Sequence, residues 1–325
     1  MGEKMKRNLL SACSFLLILA LLLAGASWLL YPKDNKDIGR RADRLSTGLL
    51  AEEENTVDVL FIGDSLPMYG TAAPQLWAWY GIPAYTYATP QQNLVKSRRM
   101  LRRALKRQSP KVVFLEVNGL YREIGDQEVM SDWLCSWIPV GEYHDNWKKI
   151  PLRELLQPVH YNTVQESKGY YLNMYQSASA TADYMHYDDP EAEPLPEAVG
   201  LLKIIGDLCR RKGIKLILYS VPNAVSWNWA RHDAVSRVSK ELELTYLDLN
   251  TEDVGIDWST DCMDKGDHLN YLGATKATAW LGDWIARNEA LADKRGTDGY
   301  ALWNQQVERF LDYAEQTAAE GLIPQ

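Results

Sequence analysis

The sequence lacks the patterns that mark several common protein classes. Its four cysteines include no CxxC pair, which argues against a zinc-type site and against a dense disulfide framework. It has no glycine-rich phosphate loop, internal repeat or low-complexity tract. The net charge of -8 argues against nucleic acid as a partner, since polyanion binders normally carry a basic balance. Nothing in the sequence implies a metal or an organic cofactor.

Phenylalanine is also scarce, whereas the other two aromatic residues are abundant. The chain has 4 Phe but 12 Trp and 18 Tyr. Trp and Tyr combine an apolar ring with a polar tip, so they suit partly wet surfaces such as sugar-binding clefts. Ordinary core and rim positions account for most of them. The content of 46% hydrophobic and 24% charged residues is that of a folded protein.

A long uncharged run lies near the amino terminus, at residues 9–31, after the basic stretch 1–8. Because a helix needs about 20 apolar residues to cross the hydrocarbon core, this run is predicted to be a transmembrane signal anchor. The small residues at 24–26 would suit a cleavage site, but the run continues through Trp28, which favours an uncleaved anchor over a signal peptide. Basic residues in 1–8 and in the juxtamembrane linker 32–55 leave the orientation open.

Beyond the linker, continuous apolar runs alternate with amphipathic stretches. A short apolar run fits a parallel strand that is buried on both faces. Strand and helix in repetition predict right-handed crossovers, and hence an α/β domain over 56–325 with three layers and a mostly parallel sheet. The predicted strands cover 57–63, 84–88, 111–118, 214–222 and 244–249, and the predicted helices include 93–108, 197–212 and 230–243.

A long block without this alternation separates the third and fourth predicted strands. Residues 119–196 are rich in Trp, Tyr and His and end in an acidic stretch broken by prolines. This length exceeds that of an ordinary connection. We interpret the block as an insertion that roofs the carboxyl end of the sheet, where α/β proteins bind ligands; a surface decoration is the alternative.

A serine stands just past the first predicted strand, so Ser65 lies at the carboxyl edge of the sheet. Serine is a poor nucleophile without a positioned base. Of the five histidines, His268 lies in a loop after the last predicted strand that returns to the same edge, and Asp264 and Asp267 flank it. Either carboxylate could accept the Nδ1–H of the imidazole and stabilise the imidazolium. These four are the candidate catalytic residues; a helix-capping serine and a structural histidine are the alternatives.

Three short blocks resemble the SGNH (GDSL-type) hydrolase superfamily: FIGDS at 61–65, LEVNGLY at 115–121 and DKGDHLN at 264–270. The resemblance spans about 55–290 and is strongest to a membrane-anchored bacterial branch that includes the D-alanyl-transfer protein of teichoic-acid modification. It implies a flavodoxin-like sheet and a Ser-His-Asp esterase or acyltransferase that faces the cell exterior. Residues 1–8 would then be cytoplasmic.

The resemblance also implies how the oxyanion would be held. The Ser65 N–H and the Asn118 side chain match two oxyanion donors of the family. The family's glycine block is replaced by YATPQQN at 87–93, with Ala88 or Thr89 where glycine is usual, so a third donor is not assigned.

The acid of the triad is likewise implied only in part. The family places it three residues before the histidine, where this chain has Lys265. A one-residue insertion would give the role to Asp264, which we prefer, whereas a sharp turn at Gly266 would allow the adjacent Asp267 to take it.

Three further residues are candidate substrate-binding residues: Asp64, Trp227 and Trp229. The two tryptophans follow the fourth predicted strand, where their rings could stack on a sugar or simply enter the core. Asp64 alternatively braces the turn that carries Ser65.

The expected protein is a single-pass membrane protein with an extracytoplasmic catalytic domain. It would be a serine esterase or O-acyltransferase that acts on acyl esters of a cell-envelope glycan or a teichoic-acid-like polymer. The acylated polymer is the expected partner, and a membrane-bound O-acyltransferase is a further candidate. A non-catalytic polymer-binding or assembly factor with the same fold, and a lipid esterase, are the alternatives.

Overall fold

The computed structural model of the chain describes residues 2–35, 41–138, 140–148, 150–179 and 183–320. It divides into two compact units, one formed by Met1–Ile38 with Gly125–Asn162, and the other by Gly39–Ile124 with Thr163–Gln325. The predicted linker 32–55 therefore lies partly outside the described residues, at 36–40.

The larger unit contains a five-stranded parallel sheet, which confirms the predicted fold class. Every predicted strand is present, and the second has the predicted bounds. The strands are β1 (Val59–Gly63), β2 (Ala84–Ala88), β3 (Val112–Glu116), β4 (Lys215–Ser220) and β5 (Thr245–Asp248), in the order β2-β1-β3-β4-β5. A separate antiparallel hairpin pairs β6 (Cys262–Met263) with β7 (His268–Leu269).

Helices, numbered in chain order, occur in both units. The smaller unit contains α1 (Glu3–Leu30), α6 (Asp126–Trp137) and α7 (Val140–Tyr143). The larger unit contains α2 (Arg41–Thr47), α3 (Ser65–Gly70), α4 (Ala73–Tyr80), α5 (Leu94–Ala104), α8 (Pro196–Arg211), α9 (Trp229–Glu241), α10 (Tyr271–Asn288) and α11 (Ala301–Ala319).

Helices cover both faces of the sheet, as a parallel sheet with fully apolar strands requires. Successive side chains of β1 point to opposite faces. Leu60 and Ile62 share a core cluster with side chains of α5 and α8, whereas Phe61 belongs to a second cluster with side chains of α4 and α10. The sheet is therefore the middle of three layers.

The strand order creates a ligand crevice at one place on the sheet. β2 and β3 lie on opposite sides of β1, so the connections that leave the carboxyl ends of β1 and β3 diverge. In open α/β sheets, ligands bind at such a switch point. Ser65 follows β1 and Asn118 follows β3, so both border this crevice.

The long block at 119–196 is divided between the two units. Its part 125–162 belongs to the unit that contains α1, whereas 119–124 and 163–196 belong to the unit with the sheet. α1 is long and apolar enough to cross a membrane, a property that signal sequences share.

Candidate active site

Ser65 and His268 form the centre of the candidate site. Ser65 is the first residue of α3, and His268 begins β7. The Ser65 Oγ lies 2.8 Å from the His268 Nε2, a hydrogen-bond distance and the contact that a serine nucleophile would need with a base. The ring of Tyr69 packs edge-on against the imidazole, with ring centroids 5.2 Å apart. The imidazole is thus fixed with Nε2 toward the serine.

Both candidate carboxylates lie on the other side of the imidazole. The Asp264 Oδ2 is 3.2 Å from the His268 Nδ1, and the Asp267 Oδ2 is 3.5 Å from the same nitrogen. The distance from Asp264 is within the range of a hydrogen bond, whereas the distance from Asp267 is slightly too long for one. The Asp264 side chain is exposed and that of Asp267 is partly exposed, so their effect on the imidazolium is partly screened.

A left-handed turn explains how a residue four positions before the histidine reaches its ring. Asp264, Lys265 and Gly266 have φ values of 54, 58 and 97°. A Cβ on Gly266 would lie 2.9 Å from the Ala224 Cβ, so both the conformation and the packing require glycine there. The turn reverses the chain direction between Asp264 and His268, which brings the Asp264 carboxylate to the His268 Nδ1.

Replacing Asp264 by asparagine is expected to lower kcat for ester hydrolysis by about 10²-fold, because the amide no longer stabilises the imidazolium. The effect should be smaller than for a buried triad aspartate, since water partly replaces the lost carboxylate. Asp267→Asn is the matched control and is expected to lower kcat by about tenfold or less. Steady-state kinetics of both variants test this, and the opposite order would give the role to Asp267.

Asn223 supports the same loop and was not found from the sequence. It is buried, and its Nδ2 donates to the Asp267 carbonyl at 2.7 Å and to the Asp267 Oδ1 at 3.1 Å. Its Oδ1 accepts the backbone N–H of Val225 at 2.8 Å. The available signal was its position, a polar residue immediately after a predicted strand at the carboxyl edge of the sheet.

Asn118 lies on the serine side of the site, held by two acidic residues. Its Nδ2 donates to the Asp64 Oδ2 at 2.8 Å, and its backbone N–H donates to the Glu116 Oε2 at 3.0 Å. One of the two side-chain N–H bonds is thereby fixed, so the orientation of the other is also determined. The amide is thus held in a fixed orientation at the end of β3, next to β1.

Asp64 braces this arrangement and is not a substrate contact. It is fully buried, its Oδ1 accepts the Leu66 N–H at 2.9 Å, and its Oδ2 accepts the Arg122 Nε at 2.8 Å in addition to Asn118. A carboxylate with all its partners inside the protein has no face left for a ligand. The placement of Asp64 among substrate-binding residues is therefore corrected, and Arg122 is an addition that the sequence did not reveal.

The environment of Glu116 disfavours the charged form of its carboxyl. Burial and the neighbouring Asp64 raise the pKa of its carboxyl well above the ordinary value, against the opposing effect of hydrogen bonds and of Arg122. Asp64 is the carboxylate that pairs with the Arg122 guanidinium.

The segment at the end of β2 offers little to an oxyanion. The Thr89 N–H donates to the Gly63 carbonyl at 3.4 Å, and the next residue, Pro90, has no N–H. The backbone donor that a glycine block would supply is thus engaged elsewhere at Thr89.

The two tryptophans after β4 do not border the described pocket. Trp227 is 3% exposed, and its Nε1 donates to the Asp248 Oδ2 at 2.9 Å. Of the two roles left open for Trp227, the structure therefore shows the core role, and its place among the candidate substrate-binding residues is corrected. Trp229 is half-buried and stacks on Tyr187, with ring centroids 6.4 Å apart. A role in substrate binding stays a prediction for Trp229.

A pocket of about 560 Å³ opens beside the site, and both Asn118 and Asp267 line it. Most of its lining is charged or polar, and Leu195 is the one aliphatic residue among the described lining residues. Glu191 and Glu193 of its lining come from the end of the long block. The pocket suits a hydrophilic group better than a long acyl chain.

A second histidine–carboxylate pair lies outside this site. The His232 Nδ1 is 2.7 Å from the Asp248 Oδ2, which Trp227 also contacts. The hydrogen bond to Asp248 is the largest influence and raises the pKa of His232 above 6.5, although burial opposes it. Burial raises the pKa of Asp248, but the hydrogen bonds from His232 and its neighbours outweigh burial and bring it below 3.8. Both shifts favour the charged forms, so the contact stabilises the fold when His232 is protonated and Asp248 is ionised.

His232→Gln is expected to cost stability only over a defined pH range. Because the pKa of His232 is higher in the folded state, the pair stabilises the fold fully below the pKa of the unfolded state, and this stabilisation is lost as the pH rises through the pKa of the folded state. The pKa of Asp248 is lower in the folded state, so its contribution is lost as the pH falls into the acid range. The deficit in Tm of His232→Gln relative to wild type should be greatest between about pH 4 and 6.5 and shrink toward about pH 9. Thermal melts across this range test it, and a deficit independent of pH would contradict the assignment.

Among the described residues, no group of three or more His, Cys, Asp and Glu is placed to hold a metal ion. No protein-family model matches the chain, and no curated protein matches it in sequence.

Solved structures with a similar fold include two ester-acting proteins. A GDSL-like lipase from Bacteroides thetaiotaomicron is 13% identical, with 76% of this chain and 98% of that chain covered and a TM-score of 0.40. The psychrotrophic esterase EstA from Pseudoalteromonas sp. is 11% identical, with coverages of 71% and 95% and a TM-score of 0.37. These similarities are remote and do not by themselves assign a function to the chain.

Proposed function

We propose that the chain is an SGNH-type serine esterase or acyltransferase. The observation that carries this proposal is the 2.8 Å contact between the Ser65 Oγ and the His268 Nε2, with the Asp264 carboxylate on the opposite ring nitrogen. A nucleophile, a base and an orienting acid in this order form the arrangement that acyl transfer needs.

In the proposed reaction, the Ser65 Oγ attacks the ester carbonyl carbon while its proton passes to the His268 Nε2. The carbonyl electron pair moves to oxygen, and the resulting oxyanion accepts hydrogen bonds from the Ser65 N–H and the free Asn118 N–H. Collapse of this intermediate breaks the bond to the alcohol oxygen, which takes the proton from His268. Water or a sugar hydroxyl then attacks the acyl-enzyme by the same steps and restores Ser65.

The substrate we propose is an acyl ester on a hydrophilic carrier, such as a cell-envelope glycan or a teichoic-acid-like polymer. Charged and polar lining of the adjacent pocket supports a polar carrier over a long acyl chain. In the same proposal, α1 anchors the chain in the membrane and the catalytic unit is extracytoplasmic. The chain would then belong to the membrane-anchored bacterial branch, with a membrane-bound O-acyltransferase as its partner.

A serine-directed fluorophosphonate probe tests the proposal on the full chain in detergent. Wild type is expected to be labelled and Ser65→Ala is not, because only an activated serine reacts with the probe. Ser236→Ala, on α9, is the control and should label like wild type. Absence of labelling in folded wild type, or equal labelling of Ser65→Ala, would refute it. A higher rate on long-chain than on acetyl nitrophenyl esters would instead favour a lipid esterase.

A further inference from the structure

Helix α6 exposes its apolar side, whereas an ordinary amphipathic helix buries it. An apolar stripe runs along its exposed side at helical spacing, while the polar Asp132 is only 3% exposed. Trp137, at the end of the stripe, is 74% exposed. Soluble surfaces seldom expose aromatic and aliphatic side chains in one continuous stripe, so such a stripe marks an interaction site. The stripe consists of Val129, Met130, Trp133, Leu134 and Trp137.

Further large apolar side chains are exposed in the segment that follows. The exposed fraction of Trp147 is similar to that of the stripe residues, and the exposed fractions of Leu152 and Leu156 are higher than those of most stripe residues. We call the stripe and these three residues the apolar platform. All of it lies in the unit that also contains α1.

Contacts within this unit fix the platform to one end of α1. The Val140 N–H donates to the Ser27 Oγ in the last turns of α1 at 3.0 Å, and the rings of Tyr31 and Tyr143 meet edge to face at 4.9 Å between centroids. Trp137 is three residues before Val140. Since three residues span at most about 11 Å, the stripe ends close to the carboxyl-terminal end of α1.

That end of α1 has the chemistry of a membrane boundary. The Lys33 Nζ donates to the Trp28 carbonyl at 2.7 Å and lies 4.4 Å from the centre of the Trp28 ring. A tryptophan beside a lysine at the end of an apolar span is the usual arrangement at the level of the lipid headgroups. His160 and Tyr161 also hydrogen-bond to the chain just past α1, at the carbonyls of Lys33 and Pro32.

We infer that the apolar platform lies in the outer headgroup region of the bilayer, next to the anchor. A helix with Trp, Leu and Met on its exposed side binds an interface by burying that side at the boundary between headgroups and acyl chains. A second contact with the bilayer would restrict how this unit tilts about a single anchoring helix. The inference rests on the proposed role of α1 as an anchor and is independent of the proposed chemistry.

Tryptophan quenching in nanodiscs tests the inference with the full chain. Bilayers of phosphatidylcholine and phosphatidylglycerol, with or without bromine atoms high on the acyl chains, are compared. Of 12 tryptophans, Trp28 and the platform's three would lie at the interface, so about one third of the emission should be quenched. In Trp133→Phe/Trp137→Phe/Trp147→Phe, only Trp28 of nine remains there, and about one ninth should be quenched.

Trp79→Phe is the matched control, because Trp79 is an exposed tryptophan of α4 in the other unit. It is expected to leave the number of quenched tryptophans unchanged. Equal quenched fractions in wild type and the triple variant would overturn the inference and would leave a protein as the occupant of the platform. Failure to enter nanodiscs at all would refute the anchor, and fluorophosphonate labelling of the same samples reports on the chemistry separately.

Discussion

Replacing His268 by alanine is expected to lower kcat/KM for ester hydrolysis by about 10⁴-fold or more, because Ser65 loses the base that takes its proton. Adding Ser65→Ala to the same chain should cost little more. A serine and its base act as one unit, so their losses do not add. Kinetics of the two single variants and the double variant on a short-chain nitrophenyl ester measure this.

His232→Gln is the matched control for this experiment. His232 also pairs with a carboxylate, but among the described contacts its ring does not hydrogen-bond to a serine. It is expected to keep the wild-type kcat at the assay temperature. If His268→Ala retained most of the activity, or if the double variant lost the product of the two single losses, the proposed serine–histidine unit would be wrong.

Replacing Asn118 by alanine is expected to lower kcat by about 10²- to 10³-fold with little change in KM, because an oxyanion donor acts only once the negative charge has formed. The network around the amide supports this magnitude. Asp64 fixes one side-chain N–H at 2.8 Å, so the other is oriented before the substrate binds. Asn288→Ala, at the end of α10, is the control.

The comparison also separates catalysis from structure for Asn118. Because Asn118→Ala also removes a hydrogen bond to the buried Asp64 carboxylate, its Tm should fall in either case. Loss of an oxyanion donor is therefore recognised by a lower kcat at a temperature at which wild type and variant are both folded. A kcat within about threefold of wild type would show that Asn118 only holds the turn together with Asp64.

Much of the fold followed from local patterns in the sequence. The stretch AYTYA at 84–88 forms β2 with those bounds, and Gly213, the residue that follows the predicted helix 197–212, has φ 69°. Continuous apolar runs and glycine punctuation act over a few residues, so they can be interpreted without knowing the rest of the chain. The chain order of strands and helices then placed Ser65 and His268 at one edge of the sheet.

Contacts between distant residues decided what the sequence had left open. The left-handed turn at Asp264 put that carboxylate closer than Asp267 to the imidazole, and burial turned Trp227 into a core residue. The pairing of Asp64 with Arg122 and the support from Asn223 likewise came only from the structure. The sequence by itself determined the layers of the fold and which serine and histidine meet, because periodicity and strand ends are local properties. Only the tertiary structure decided which side chains surround them, because burial and hydrogen-bond partners depend on neighbours that lie far away along the chain.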